Sequence, residues 1–162
     1  MVEPLIDEGA GPVASCDGGG DELSLNCLMA QATRGYRVLL AGLLAEIDLY
    51  PGQERVMTSL WEHGPQTQNA LARMLGIDMS TMTKSLQRLE RSGFVSRTPS
   101  PANRRISIVS TTPAGDALRP AVNRILAEAN RRTTRGLTHE QTAVLSSLLG
   151  VVRGNLCREA AP

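Results

Sequence analysis

Between Thr67 and Gly93 the chain encodes two short helices with almost nothing between them, and this spacing constrains the fold more than any other feature. Thr67 suits an N-cap, because a hydroxyl oxygen there can accept a bond from the otherwise unsatisfied amides of the first turn. Leu71, Ala72 and Leu75 follow at helical spacing, and Gly76 suits the left-handed residue that closes a helix. Only Gly76 and Ile77 separate this element from Asp78, a second N-cap. Met79, Met82, Leu86 and Leu89 then recur at intervals of three, four and three, which predicts a second helix with these four inward, ending at Ser92-Gly93. A short helix, a tight glycine turn and another helix form a helix-turn-helix pattern.

The segments on either side extend this unit. Phe94 to Thr98 and Arg105 to Ser110 read as two strands, with Pro99 to Asn103 supplying turn residues. Upstream, a proline-free stretch from Leu23 to about Leu49 is apolar at Leu25, Leu28, Ala32, Tyr36, Leu39, Leu43 and Ile47, the pattern of a long amphipathic helix. Its length hints at a role between subunits. Tyr50-Pro51 is expected to open the next helix, whose inner face is Val56, Met57, Leu60 and Trp61 and which stops near His63-Gly64-Pro65. Downstream, Thr112-Pro113 starts a helix through Leu118, Val122, Ile125 and Ala129 that fades near Gly136. Thr138 and Gln141 form a capping box for a last helix striped by Leu145, Leu148, Leu149, Val152 and Leu156. The expected fold class is mainly α: a winged helix-turn-helix with long helices at both termini.

Charge is distributed unevenly behind a formal total of +1. Residues 79–105 carry Lys84, Arg88, Arg91, Arg97, Arg104 and Arg105 against the single acid Glu90, a net of +5. Residues 1–26 hold six acids and no Lys or Arg, and their glycine-rich runs read as a disordered acidic tail over 1–22. On the second helix of the motif, Ser80, Thr81, Thr83, Lys84, Gln87, Arg88 and Arg91 fall opposite the apolar stripe. Hydroxyls, an amide and cations on one face can bond base edges in a major groove and neutralise phosphates. The hairpin tip, Asn103-Arg104-Arg105, can place a guanidinium in an adjacent minor groove while the other arginine braces the turn. Arg97 completes the expected DNA-binding set. A solvated surface helix would also be polar, but it would mix acids with its bases.

Other classes find less support. No Ser/His/Asp set, phosphate-cradling glycine loop or metal-ligand cluster is apparent, so neither an enzyme nor a cofactor or metal is expected. Cys16, Cys27 and Cys157 form no CxxC and lie at no ligand spacing from His63 or His139. No apolar run approaches the roughly 18 residues of a membrane span, and the N-terminus lacks a secretory pattern, so a cytoplasmic protein is expected. A winged-helix module that binds protein would show more apolar and aromatic surface than this basic face does.

The phrases LARMLGIDMSTMTKSLQRLERSGFV and PANRRISIVSTTPAG resemble the MarR family of bacterial transcription regulators, and GLTHEQ…LSSLL resembles that family's final helix. The likeness covers about residues 23–158. It implies an obligate homodimer whose terminal helices interdigitate, giving dimerisation helices at 23–49 and 113–160 around a DNA-binding domain at 50–112. It also implies palindromic double-stranded operators and control by a ligand or oxidant, hence a repressor released by a small molecule. Two positions depart from the family pattern: Asn103 stands where Asp is usual, and Thr111 where Leu is usual. By the same resemblance an effector pocket would be bordered by Tyr36, Arg37, Tyr50, Met57, Trp61 and His63, with Arg37 or His63 receiving an anionic or phenolic ligand. The redox alternative is oxidation sensing at Cys27, which lacks the aromatic neighbours of the sensing branch, with Cys157 as a candidate partner across the dimer.

Overall fold

The computed structural model describes residues 24–101, 103, 104 and 106–159, with side chains described as far as Leu156. The acidic tail at 1–22, Arg105 and the side chain of Cys157 therefore lie outside the described residues. The elements in order are α1 (Leu25–Leu44), α2 (Gln53–His63), β1 (Gln66–Thr67), α3 (Gln68–Leu75), α4 (Met79–Arg91), β2 (Val95–Pro99), β3 (Ser107–Thr111), α5 (Pro113–Ala117), α6 (Arg119–Thr133) and α7 (His139–Glu159). The chain divides into two compact units, residues 1–35 and 36–162, so the division falls inside α1.

The helix-turn-helix forms as its caps dictate. Thr67 Oγ1 accepts from the Ala70 amide at 3.2 Å, and Gly76 closes α3 with a left-handed φ of 64°. Asp78 Oδ1 accepts from the amides of Ser80 and Thr81, both at 2.9 Å, and starts α4. Met82, Leu86 and Leu89 are buried beneath α4, as expected, whereas Met79 is 44% exposed because it lies in the first turn, at the edge of the stripe. The capping box of α7 closes in both directions: Thr138 N–H donates to Gln141 Oε1 at 2.9 Å, and Gln141 N–H to Thr138 Oγ1 at 3.1 Å.

Three expected boundaries shift, each for a local reason. The first helix ends at Leu44 and tightens into a 3-10 turn over Ala45–Ile47, after which Asp48 turns left-handed at φ 56°. Asp48 reverses the chain because its short side chain tolerates that region. The second helix starts at Gln53 rather than at Tyr50-Pro51. Its caps are its own first residues, with Gln53 Oε1 accepting from Tyr50 N–H at 2.9 Å and Glu54 Oε2 from Gly52 N–H at 2.6 Å. The helix expected after Thr112 is broken into α5 and α6 at Leu118. Pro120 lacks the amide that would have continued the ladder to residue 116.

The wing is a three-stranded antiparallel sheet in the order β1-β3-β2, with Arg97 opposite Val109 and Thr67 opposite Ile108. The hairpin strands sit one to two residues later than their expected limits. The two-residue β1 was not anticipated, being too short to show alternation.

One core joins the elements of the larger unit. Leu40 and Leu44 of α1, Met57 and Leu60 of α2, Leu71 of α3, Leu86 of α4, Val109 of β3 and Val122 of α6 are all buried within it. α5 docks by backbone. Thr112 N–H donates to Phe94 O at 3.1 Å, Thr112 Oγ1 donates to Gly93 O at 2.6 Å, and that hydroxyl accepts from Gly115 N–H at 3.0 Å. This closeness leaves no space at Gly115, where a Cβ would lie 2.0 Å from Phe94 O. α7 is different. Its expected inward stripe is open in the single chain, with Leu148 59% and Leu149 53% exposed beside Val144 and Val151.

Candidate nucleic-acid interface

The expected contact set separates into braced and open side chains. At the start of α4, Ser80 Oγ donates to Asp78 Oδ1 and Thr81 Oγ1 to Asp78 Oδ2, each at 2.7 Å. The Thr81 hydroxyl and amide, then those of Ser80, hold the Asp78 carboxyl well below the usual carboxylate range. An ionised carboxylate can only accept, so both hydroxyl hydrogens are committed to it. Toward a groove, Ser80 and Thr81 therefore offer oxygen lone pairs.

Thr83 is a structural joint. Its hydroxyl donates to Met79 O at 2.7 Å and accepts from Gln68 Nε2 at 2.6 Å, tying the first turn of α3 to α4. The side chains of Lys84 and Gln87 are exposed and make no hydrogen bond or ion pair among the described residues. Arg88 lies over the Tyr50 ring, 5.1 Å from its centroid, a cation–π distance that orients the guanidinium without neutralising it. Arg91 Nε donates to Gln87 O at 3.3 Å and stays exposed.

Arg97 does something else. Both its Nε, at 2.9 Å, and its Nη2 donate to Glu90 Oε2. The one acid of the basic window thus joins α4 to β2 through Arg97. Arg97 lowers the carboxyl of Glu90, chiefly through that hydrogen bond. With its folded pKa below the unfolded value of about 4.3, Glu90 adds stability above that pH and loses it as pH falls through the folded value. Both groups are partly exposed, so the contribution is at most about 1 kcal/mol. Glu90→Gln should lower the urea midpoint relative to wild type at pH 7, and the difference should shrink as pH falls below about 4.3 and through the folded value. At the wing tip, Ile106 N–H donates to Asn103 O at 2.9 Å, and Arg104 is exposed.

The residues expected to border an effector pocket do not stay together. Met57 is wholly buried in the core, Tyr50 serves Arg88, and Arg37 is exposed on α1. Trp61 is half-buried, and its Nε1 is buried without a partner. Tyr36 and His63 do line a cavity of about 410 Å³, together with Glu54, Thr58 and Glu62 of α2. Its far wall is Met74 and Leu75 of α3 and Leu126 of α6. Cys27 is buried, and its Sγ accepts from Gln31 Nε2 at 3.3 Å. Among the described residues there is no group of three His, Cys, Asp or Glu side chains placed to hold a metal, and no helix long and apolar enough to cross a membrane.

Sequence reading missed Gln68, the Arg97–Glu90 pairing and the role of Tyr50. Only Asp78 carried a signal, a cap followed by Ser and Thr at the second and third positions.

The fold and sequence have close counterparts. The MarR family model matches residues 49–107. The transcriptional repressor IacR of Pseudomonas putida is 30% identical over 79% of this chain and 77% of its own. The multiple antibiotic resistance protein MarR of Salmonella typhimurium is 30% identical over 68% of this chain and 78% of its own. Among solved structures, a cysteine-to-serine mutant of MarR from E. coli complexed with operator DNA superposes with a TM-score of 0.73 at 27% identity. That likeness covers 79% of this chain and 92% of the other. A winged helix-turn-helix carrying this basic face, matched to such relatives over most of both chains, is a transcriptional regulator of the MarR family, and the chain belongs to that family.

Proposed function

We propose that this regulator is a homodimeric repressor that binds a palindromic operator in the cytoplasm and is released by a small molecule. The observation that carries the DNA reading is the open face of α4. Lys84, Gln87, Arg88 and Arg91 are exposed together, while the one acid within α4, Glu90, is neutralised by Arg97. The operator complex of the related MarR structure and the naming of IacR as a repressor support the same reading. Lys84, Arg88 and Arg91 neutralise phosphates, Gln87 with the lone pairs of Ser80 and Thr81 reads base edges, and Arg104, with Arg105 next to it in sequence, reaches the neighbouring groove or its phosphates. Dimerisation is supported by the exposed apolar stripe of α7, which a single chain leaves uncovered.

Fluorescence anisotropy with DNA from the upstream region of the gene tests this. Lys84→Ala and Arg104→Ala should each weaken binding uniformly across sequences and lower the salt slope by about one unit. Gln87→Ala should change sequence preference. Affinity that barely responds to salt would overturn the phosphate-neutralisation reading.

A further inference from the structure

We propose that the cavity along α2 is a site for an organic cation bearing an apolar group, the opposite charge to the ligand that Arg37 and His63 would receive. The inference rests on the small-molecule control proposed above and assigns its ligand class. Its basis is the polar inventory of the walls. Glu54, 4% exposed, and Glu62 bring two carboxylates. Arg55, the one permanent cation of the lining, directs Nη2 to Leu75 O at 3.0 Å and is engaged there.

His63 Nδ1 lies 3.1 Å from Ser59 O, and a carbonyl can only accept, so Nδ1 carries a proton and is used within α2. Thr58 Oγ1 is buried with no partner. The Ser59 hydroxyl is already used, donating to Met74 Sδ and accepting from Gln66 Nε2. The lining therefore carries two carboxylates against one permanent cation. An anion entering here would meet both carboxylates and a guanidinium whose Nη2 is already turned to the Leu75 carbonyl. A cation would meet the charge that burial has made costly at Glu54, whose carboxyl that burial raises above its ordinary value.

The remaining walls, Tyr36, Met74, Leu75 and Leu126, suit an apolar body, and about 410 Å³ suits a ligand of small-drug size. Position links the site to the proposed DNA face. Met74 and Leu75 form the last turn of α3, the helix whose first residue, Gln68, holds Thr83 on α4. An occupant that shifts α3 also shifts the recognition helix.

Calorimetry on the full-length, DNA-free protein tests the assignment with three probes of similar shape: 4-phenylbutylamine, 4-phenyl-1-butanol and 4-phenylbutyrate. The amine should bind at least tenfold more tightly than the carboxylate, with the alcohol between them. Glu62→Gln, whose side chain caps no helix, should remove most of that preference, and Met74→Trp should abolish binding by filling the cavity. Equal or tighter binding of the carboxylate, binding of none of the three, or an amine affinity unaffected by both variants would each overturn the proposal. If the amine binds as expected but leaves DNA affinity unchanged, the cavity assignment stands and control of DNA release by this site fails.

Discussion

Gly115→Ala should lower the stability of the fold by about 3 kcal/mol, the upper range for overpacking in a close-packed region. The melting midpoint should fall by roughly 6–12 °C for a domain of this size. The added carbon would sit 2.0 Å from Phe94 O and 3.1 Å from Met57 Cε. The thioether can move, but the carbonyl cannot: Phe94 O accepts the Thr112 amide, and Gly93 O beside it accepts the Thr112 hydroxyl. Relief requires α5 to lift from the joint between α4 and β2, breaking those bonds. Circular-dichroism melting of the variant beside wild type measures the loss. A change below about 1 kcal/mol, ordinary for a surface substitution, would show that α5 is not clamped as described.

Leu145→Glu with Leu149→Glu should convert the protein to a monomer and weaken operator binding on the order of 10²-fold, since linked half-sites gain that much from being joined. The two positions lie one turn apart on α7 among Val144, Leu148, Val151 and Leu156, all of them exposed in the single chain. An apolar surface of this extent on one helix marks an interface. None of these side chains belongs to the buried core of the single chain, so charging two of them removes no core contact, and any fall in the melting midpoint should be the part that dimerisation contributes. Sedimentation velocity distinguishes the outcomes: a variant that remains dimeric places the interface elsewhere. A variant that is monomeric yet binds as tightly as wild type removes dimerisation from the mechanism of DNA binding.

These two positions show how differently parts of the molecule could be read. The α7 stripe is a periodicity in Leu and Val, legible in the order of residues alone, and the fold adds that most of it stays exposed among the described residues. Gly115 sits in a Thr-Pro-Ala-Gly run that reads only as a helix start. Its constraint comes from Phe94, far outside the reach of any local pattern.

The same division runs through the candidate site. Thr67, Gly76, Asp78, Thr138 and Gln141 act on amides or carbonyls within about four residues, so their roles follow from local spacing. The buried stripe Met82, Leu86 and Leu89 follows from helical period alone. The net charge of the window 79–105 is likewise a property of composition. Which of its cations remain available is not, because six bases share one acid and spacing cannot choose among them. Packing of β2 against α4 gave Glu90 to Arg97, packing of α2 placed Tyr50 beneath Arg88, and the turn between α3 and α4 brought Gln68 to Thr83. The cavity was beyond sequence for the same reason, since its walls come from α1, α2, α3 and α6 and its charge depends on where Arg55 turns. Sequence by itself determined most of the helices, the caps of α3, α4 and α7, the winged helix-turn-helix order and the location of the basic excess, all of which depend on neighbours within a turn or two. The tertiary structure decided which charges are spent and which stay open, because that depends on which distant side chains the packed core brings within hydrogen-bond reach.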